Sequence, residues 1–141
     1  MKNLIILVLL FSISSCLVFK KHKYTEKKIV LSMQNFPCKG NCPVYKVTFY
    51  SDGTGVFNYI KNTKKGKDYF KYSIADLDEI ILYSEKIKFS EIGNKYYNSG
   101  LQDLQIKTIL IKEHSVKYNE NPPEELRELY NKISIILPVE Y

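Results

Sequence analysis

Beyond Phe19 the chain has no apolar run approaching the ~20 residues that cross a bilayer, so no further membrane span is expected. Glycine is sparse, with 6 residues in 141 and no collagen-like period, and neither an internal repeat nor a second domain is visible. Familiar catalytic motifs are missing. Histidine is scarce as well: of 2 residues, His22 lies in a lysine-rich stretch and His114 in an expected hairpin turn, and neither sits in a triad pattern, so no triad can be argued. Asp76, Asp78, Glu79 and Glu85 fall on one amphipathic segment, where carboxylates form a solvated face. No catalytic, cofactor-binding or metal-ligating residue is assigned. What is present is 45% hydrophobic and 26% charged residues, too apolar for a disordered chain and suited to one globular domain. Lys+Arg 21 against Asp+Glu 15 gives a net charge of +6, which suits an acidic surface but names no partner.

Met1-Lys2-Asn3 is a short positive start, Leu4 to Phe11 an uninterrupted apolar run, and Ser12-Ile13-Ser14-Ser15 leads into Cys16, the order of an export signal. Ile13-Ser14-Ser15-Cys16 resembles a bacterial lipobox, in which the cysteine is lipidated and becomes the mature N-terminus. The sequence therefore predicts a lipoprotein signal peptide over 1–15, a lipidated polar tether over 16–28 and one globular domain over 29–137. Two or more acyl chains, palmitate among them, anchor stably, whereas one is marginal. Leu17 follows the cysteine in place of the aspartate of an inner-membrane retention signal. The expected location is thus the cell envelope, at the outer membrane and facing the periplasm, away from nucleic acid.

Ile29 to Met33 and Val44 to Tyr50 are β-prone, the second alternating Tyr45, Val47 and Phe49 with Lys46, Thr48 and Tyr50. Asp52-Gly53 marks a tight hairpin into Gly55 to Ile60, because glycine adopts positive φ cheaply. Asp68 to Tyr72 returns as a fourth strand. Ser73 opens a capping box with Asp76, and Ile74, Leu77, Ile81 and Ser84, with Ile80 and Ile87 alongside, make a helical stripe to about Lys88. After a surface segment carrying Tyr96 and Tyr97, Leu104 to Lys112 and Val116 to Tyr118 read as paired strands around Glu113-His114. Asn121 is expected to cap a last helix with Pro122 in its first turn and Leu126, Leu129, Ile133 and Ile136 buried. The order ββββαββα predicts an α+β fold: an antiparallel sheet of about six strands with two helices on one face. The 12 tyrosines are expected to pack and edge that sheet.

Cys38-Lys39-Gly40-Asn41-Cys42-Pro43 is the one constellation with chemical potential. In an exported protein, cysteines four apart fit a disulfide if Gly40 lets the chain turn, and the small loop so closed contributes about 2 kcal/mol. Two alternatives stay open. Reduced thiolates favour a soft ion such as Cu(I), and Cys-x-x-x-Cys-Pro resembles the loop of the Sco-type copper chaperones, whose distant histidine would here be His22 or His114. Thiol–disulfide exchange is the other, although such pairs usually sit at a helix N-terminus rather than before a strand.

Phe36 to Tyr45, followed by Val47 to Thr54, resembles the signature of a bacterial envelope family known as domain of unknown function 6438: Pro-Cys-x-Gly-x-Cys-Pro-x-Tyr, a strand, an Asp-Gly-Thr turn and a second strand. Asp103-Leu104 and Pro123 to Leu129 extend the resemblance over about Ile29 to Leu137. Gln105 departs from it, standing where proline is expected, as does Glu113-His114 in place of an Asn-Gly or Asp-Gly turn. The resemblance implies an envelope lipoprotein of Bacteroidetes-like bacteria and no established activity. The function expected is a non-catalytic binding or structural module, tied to the membrane through lipid on Cys16 and holding an envelope protein or glycan; the alternative is a periplasmic thiol or copper handler using Cys38 and Cys42.

Overall fold

At the Asp52-Gly53 turn the Asp52 carboxylate accepts from the Thr54 backbone N–H at 3.0 Å and from its hydroxyl, and Gly53 sits at φ +80°, the conformation glycine adopts without strain. The Thr54 hydrogen bonds hold the Asp52 carboxyl below its ordinary range. This hairpin joins the second and third strands of a six-stranded sheet: β1 (Ile29–Asn35), β2 (Val44–Tyr50), β3 (Thr54–Lys61), β4 (Gly66–Lys71), β5 (Lys107–Ile111) and β6 (His114–Tyr118). A computed structural model describes residues 26–64 and 66–138. The signal segment, Cys16 and His22 lie outside them. Strand order is β4-β3-β2-β1-β5-β6, with every pairing antiparallel.

Helix α1 (Ile74–Lys86) begins at Ser73, whose hydroxyl accepts from the Asp76 N–H, and buries Leu77, Ile80 and Ser84. Helix α2 (Glu124–Ile135) buries Leu126, Leu129 and Ile133. Period and pleat decide which sheet face these stripes cover. Leu31, Met33, Tyr45, Val47, Phe49, Phe57, Tyr59, Ile109, Ile111, Val116 and Tyr118 share one face by register and form a single core with the helices. The other face carries Lys46, Lys67, Tyr69, Lys71 and Lys117 among smaller side chains. Gly55, opposite Phe70, leaves room for the ring that covers it and packs edge-on to Phe49 at 5.6 Å.

Both edges of the sheet are managed. Lysines 67 and 71 stud exposed β4, which discourages pairing with another chain. At β6 the 3₁₀ turns over Phe89–Glu91 and Asn94–Tyr96 lie alongside, the Asn94 Oδ1 accepting from the Lys117 N–H and the Tyr96 carbonyl from those of Asn119 and Glu120.

Several boundaries differ from the sequence reading. The last helix starts at Pro123 in the N-cap position, without a side-chain cap; Asn121, at φ +35°, belongs to the preceding turn. Its first turn carries Glu124 and Glu125, which suit the positive helix end as the sequence leads one to expect. The first helix ends at Lys86 because Lys88 enters the left-handed region at φ +52°. Strand β5 starts at Lys107 rather than Leu104, and His114 already pairs with Ile111, so that hairpin turns at Lys112-Glu113, with Lys112 at φ +56°. Residues 26–28, read as tether, are pinned to the β2–β3 turn. Ser51, buried, donates to the Glu26 carbonyl at 2.9 Å and accepts from the Lys28 N–H at 3.1 Å, and Lys27 lies over the Tyr50 ring at 4.4 Å.

Candidate functional site

Strand β1 delivers the chain to the end of the sheet at Asn35, and β2 takes it up again at Val44, so the connection between them must turn over that end. Cys38 and Cys42 close it as a disulfide with Cα atoms 5.8 Å apart. The Gly40 N–H points to Cys38 Sγ at 3.2 Å. Four contacts then tie the loop down: the Phe36 N–H donates to the Ile106 carbonyl at 2.9 Å, the Lys39 N–H to that of Gln102 at 3.1 Å, the Asn62 amide to that of Cys42 at 3.0 Å, and Lys39 pairs loosely with Asp103. Gln105 completes the clasp, its side-chain amide donating to the carbonyls of both Phe36, at 3.1 Å, and Pro43, at 2.7 Å. A proline at that position has no side-chain donor to offer.

Beside this clasp opens a cleft of about 460 Å³ between β5, β6 and the start of α2. Its floor is polar. Asn35 donates to the Tyr130 hydroxyl at 3.1 Å, and the hydroxyls of Tyr130 and Tyr45 meet at 3.2 Å, a network joining α2 to β1 and β2. Tyr118 is 4% exposed, yet its hydroxyl opens on the cleft and has no hydrogen-bond partner among the described residues. Burial pushes its phenol far above the ordinary tyrosine range, with Tyr130 adding to the effect, so it is a neutral donor at any physiological pH. Lys107 stands over the Tyr130 ring at 4.1 Å and has no ion-pair partner among the described residues, whereas Arg127 is held by Glu124. Gln105, Asn119 and Asn131 supply amides, and Leu104 and Pro122 supply apolar wall. No carboxylate lines it.

A second, smaller cleft of about 300 Å³ lies on the far side of Leu104, against Pro37, Cys38 and Lys39. Leu104 is shared by both and 44% exposed. The disulfide loop therefore forms a wall of one continuous surface at this end of the sheet.

A family model described as Domain of unknown function (DUF6438) matches residues 29–137. The chain belongs to that family. No curated protein matches it. The DUF6438 span contains the disulfide loop, the Gln105 clasp and each residue lining the cleft, so the whole surface belongs to the family domain.

Of the residues singled out from sequence, Cys38 and Cys42 are brought together as a pair. His114 is placed elsewhere: its Nε2 lies 2.9 Å from the Ile92 carbonyl and its ring packs on Phe89, at the opposite end of β1 from the disulfide. In this disulfide the two sulfurs are bonded to each other, so a soft-metal site on them requires the reduced pair. Asp76, Asp78, Glu79 and Glu85 are exposed, Glu85 pairing with Lys112 at 3.0 Å. Tyr118, Tyr130 and Lys107 escaped the sequence reading. A signal existed for two of them: Tyr118 continues the inward alternation of Val116, and Tyr130 lies four residues after Leu126 on the buried stripe, so each places a polar tip where core alone would be apolar.

Proposed function

We propose that this protein is a non-catalytic binding module of the cell envelope, anchored in the outer membrane by acyl chains on Cys16 and holding a partner at the cleft beside the Cys38–Cys42 loop. The observation that carries the reading is Tyr118. A buried side chain normally satisfies its polar atoms within the fold, and here the hydroxyl of a residue only 4% exposed has no hydrogen-bond partner among the described residues and lines a concave, donor-rich cleft. Such a cleft with a few convergent polar groups is the usual form of a ligand site.

The path of the chain supports the orientation. Glu26 to Lys28 are fixed at the Asp52-Gly53 end of the sheet, whereas the cleft lies at the Asn35 end, about 20 Å away along β1. A domain tethered through residue 26 thus presents the cleft away from the bilayer. In this reading the disulfide is architectural, holding one wall of the site against Gln105.

The anchor has a direct test. Replacing Cys16 with Ala abolishes incorporation of an alkyne-palmitate probe and leaves the precursor uncleaved, while wild type labels; equal labelling of both contradicts the lipobox.

A further inference from the structure

The cleft's chemistry narrows what occupies it. Its donors are Lys107 Nζ, the Tyr118 hydroxyl and the amide of Asn131, Gln105 offering only its Oε1 because its N–H groups are held by Phe36 and Pro43, and its lining offers no acidic group. The ammonium of Lys107 is without a counter-charge among the described residues, while Glu124 already holds Arg127. A site with an unpaired cation and a surplus of donors is complementary to a negatively charged, oxygen-rich ligand. The volume of about 460 Å³ falls within the size of small-molecule clefts and accepts one to two sugar-sized rings. Peptides bound by strand addition need a free sheet edge, and the edge beside this cleft is taken: Asn94 and Tyr96 accept the outward N–H groups of Lys117, Asn119 and Glu120. Recognition here runs through side chains, which favours hydroxyls and a carboxylate over a peptide backbone.

Building on the binding reading above, we infer that the cleft takes a sugar acid, with the carboxylate on Lys107, a ring hydroxyl or the carboxylate's second oxygen on the Tyr118 hydroxyl, and the remaining hydroxyls on the Asn131 amide and, as donors, on Gln105 Oε1. The same chemistry comes from a free hexuronate or from the uronate residues of an acidic glycan chain.

Calorimetric titration of the full lipidated chain in detergent micelles tests this with sodium glucuronate, glucose, acetate and tetragalacturonate. Glucuronate binds at least about tenfold tighter than glucose or acetate, since a hydrogen-bonded charged group is worth roughly 1.5–3 kcal/mol. Lys107→Met removes that preference and Lys107→Arg retains it. Tyr118→Phe weakens glucuronate binding about fivefold or more through the lost hydrogen bond, with the melting temperature of each variant recorded to show that the fold persists. Tighter binding of tetragalacturonate than of glucuronate assigns the ligand to a glycan chain, and equal binding to a free sugar acid. Equal affinity for glucose and glucuronate overturns the carboxylate assignment and leaves the cleft a sugar site. Equal affinity for acetate overturns the sugar. Glucuronate binding unchanged in both Lys107→Met and Tyr118→Phe overturns the location, and absence of binding by both sugar acids overturns the inference while the envelope-binding reading still stands or falls on cross-linking from the cleft.

Discussion

Two glycines two positions apart in the β2–β3 hairpin do different work. Gly53 occupies φ +80°, so a β-branched residue there meets backbone strain. Gly53→Val is expected to lower stability by more than about 1 kcal/mol, read as a shift in the denaturant midpoint; an unchanged unfolding curve contradicts the turn geometry. Gly55 has ordinary strand geometry, and its constraint is the Phe70 ring lying where a Cβ would stand. Gly55→Ala therefore costs roughly 1–3 kcal/mol by overpacking, and in a Phe70→Leu background the added loss shrinks. Additive losses in the double variant contradict the contact. The first constraint was legible in the dipeptide Asp52-Gly53 because turn chemistry is local. The second was hidden because the ring that imposes it arrives from another strand.

At the scale of elements, the strands and helices followed from alternation and from the 3.6-residue period, and they appear in the expected order ββββαββα. Boundaries moved where a residue outside the regular pattern decided them, as at Pro123, Lys88 and Lys112. The disulfide loop was visible as a cysteine spacing, but its attachment was not, since Gln105 reaches it from beyond the helix and both 3₁₀ turns. Removing the cross-link separates its two roles. The double variant Cys38→Ser, Cys42→Ser is expected to lose about 2 kcal/mol in equilibrium unfolding, because a loop this short constrains little unfolded-state entropy, and to stay folded. A loss beyond about 4 kcal/mol shows that the disulfide supports the core as a whole, against its description here as a local brace. The two helices are themselves linked by the Tyr83 hydroxyl donating to Glu128 at 2.6 Å; burial, and then this hydrogen bond, push the Tyr83 phenol up to about 12, and the same bond holds the Glu128 carboxyl below its usual range.

For the molecule as a whole, the organising feature is that its two ends differ. One end of the sheet receives the chain from the N-terminal segment and is closed by Ser51, Glu26 and Lys28; the other carries the disulfide loop, the Gln105 clasp and the cleft. The cleft was the part of the candidate site least legible in the sequence, because Asn35, Tyr45, Lys107, Tyr118 and Tyr130 come from five elements and none forms a motif. The exposed sheet face with Tyr69, 79% exposed, is the rival surface for a partner. Photo-cross-linking in intact cells distinguishes the two: a benzophenone amino acid is placed in the full chain either at Asn131, on the rim of the cleft, or at Tyr69. The account predicts envelope adducts from Asn131 and none from Tyr69. Adducts from Tyr69 alone, or equal adducts from both positions, contradict it.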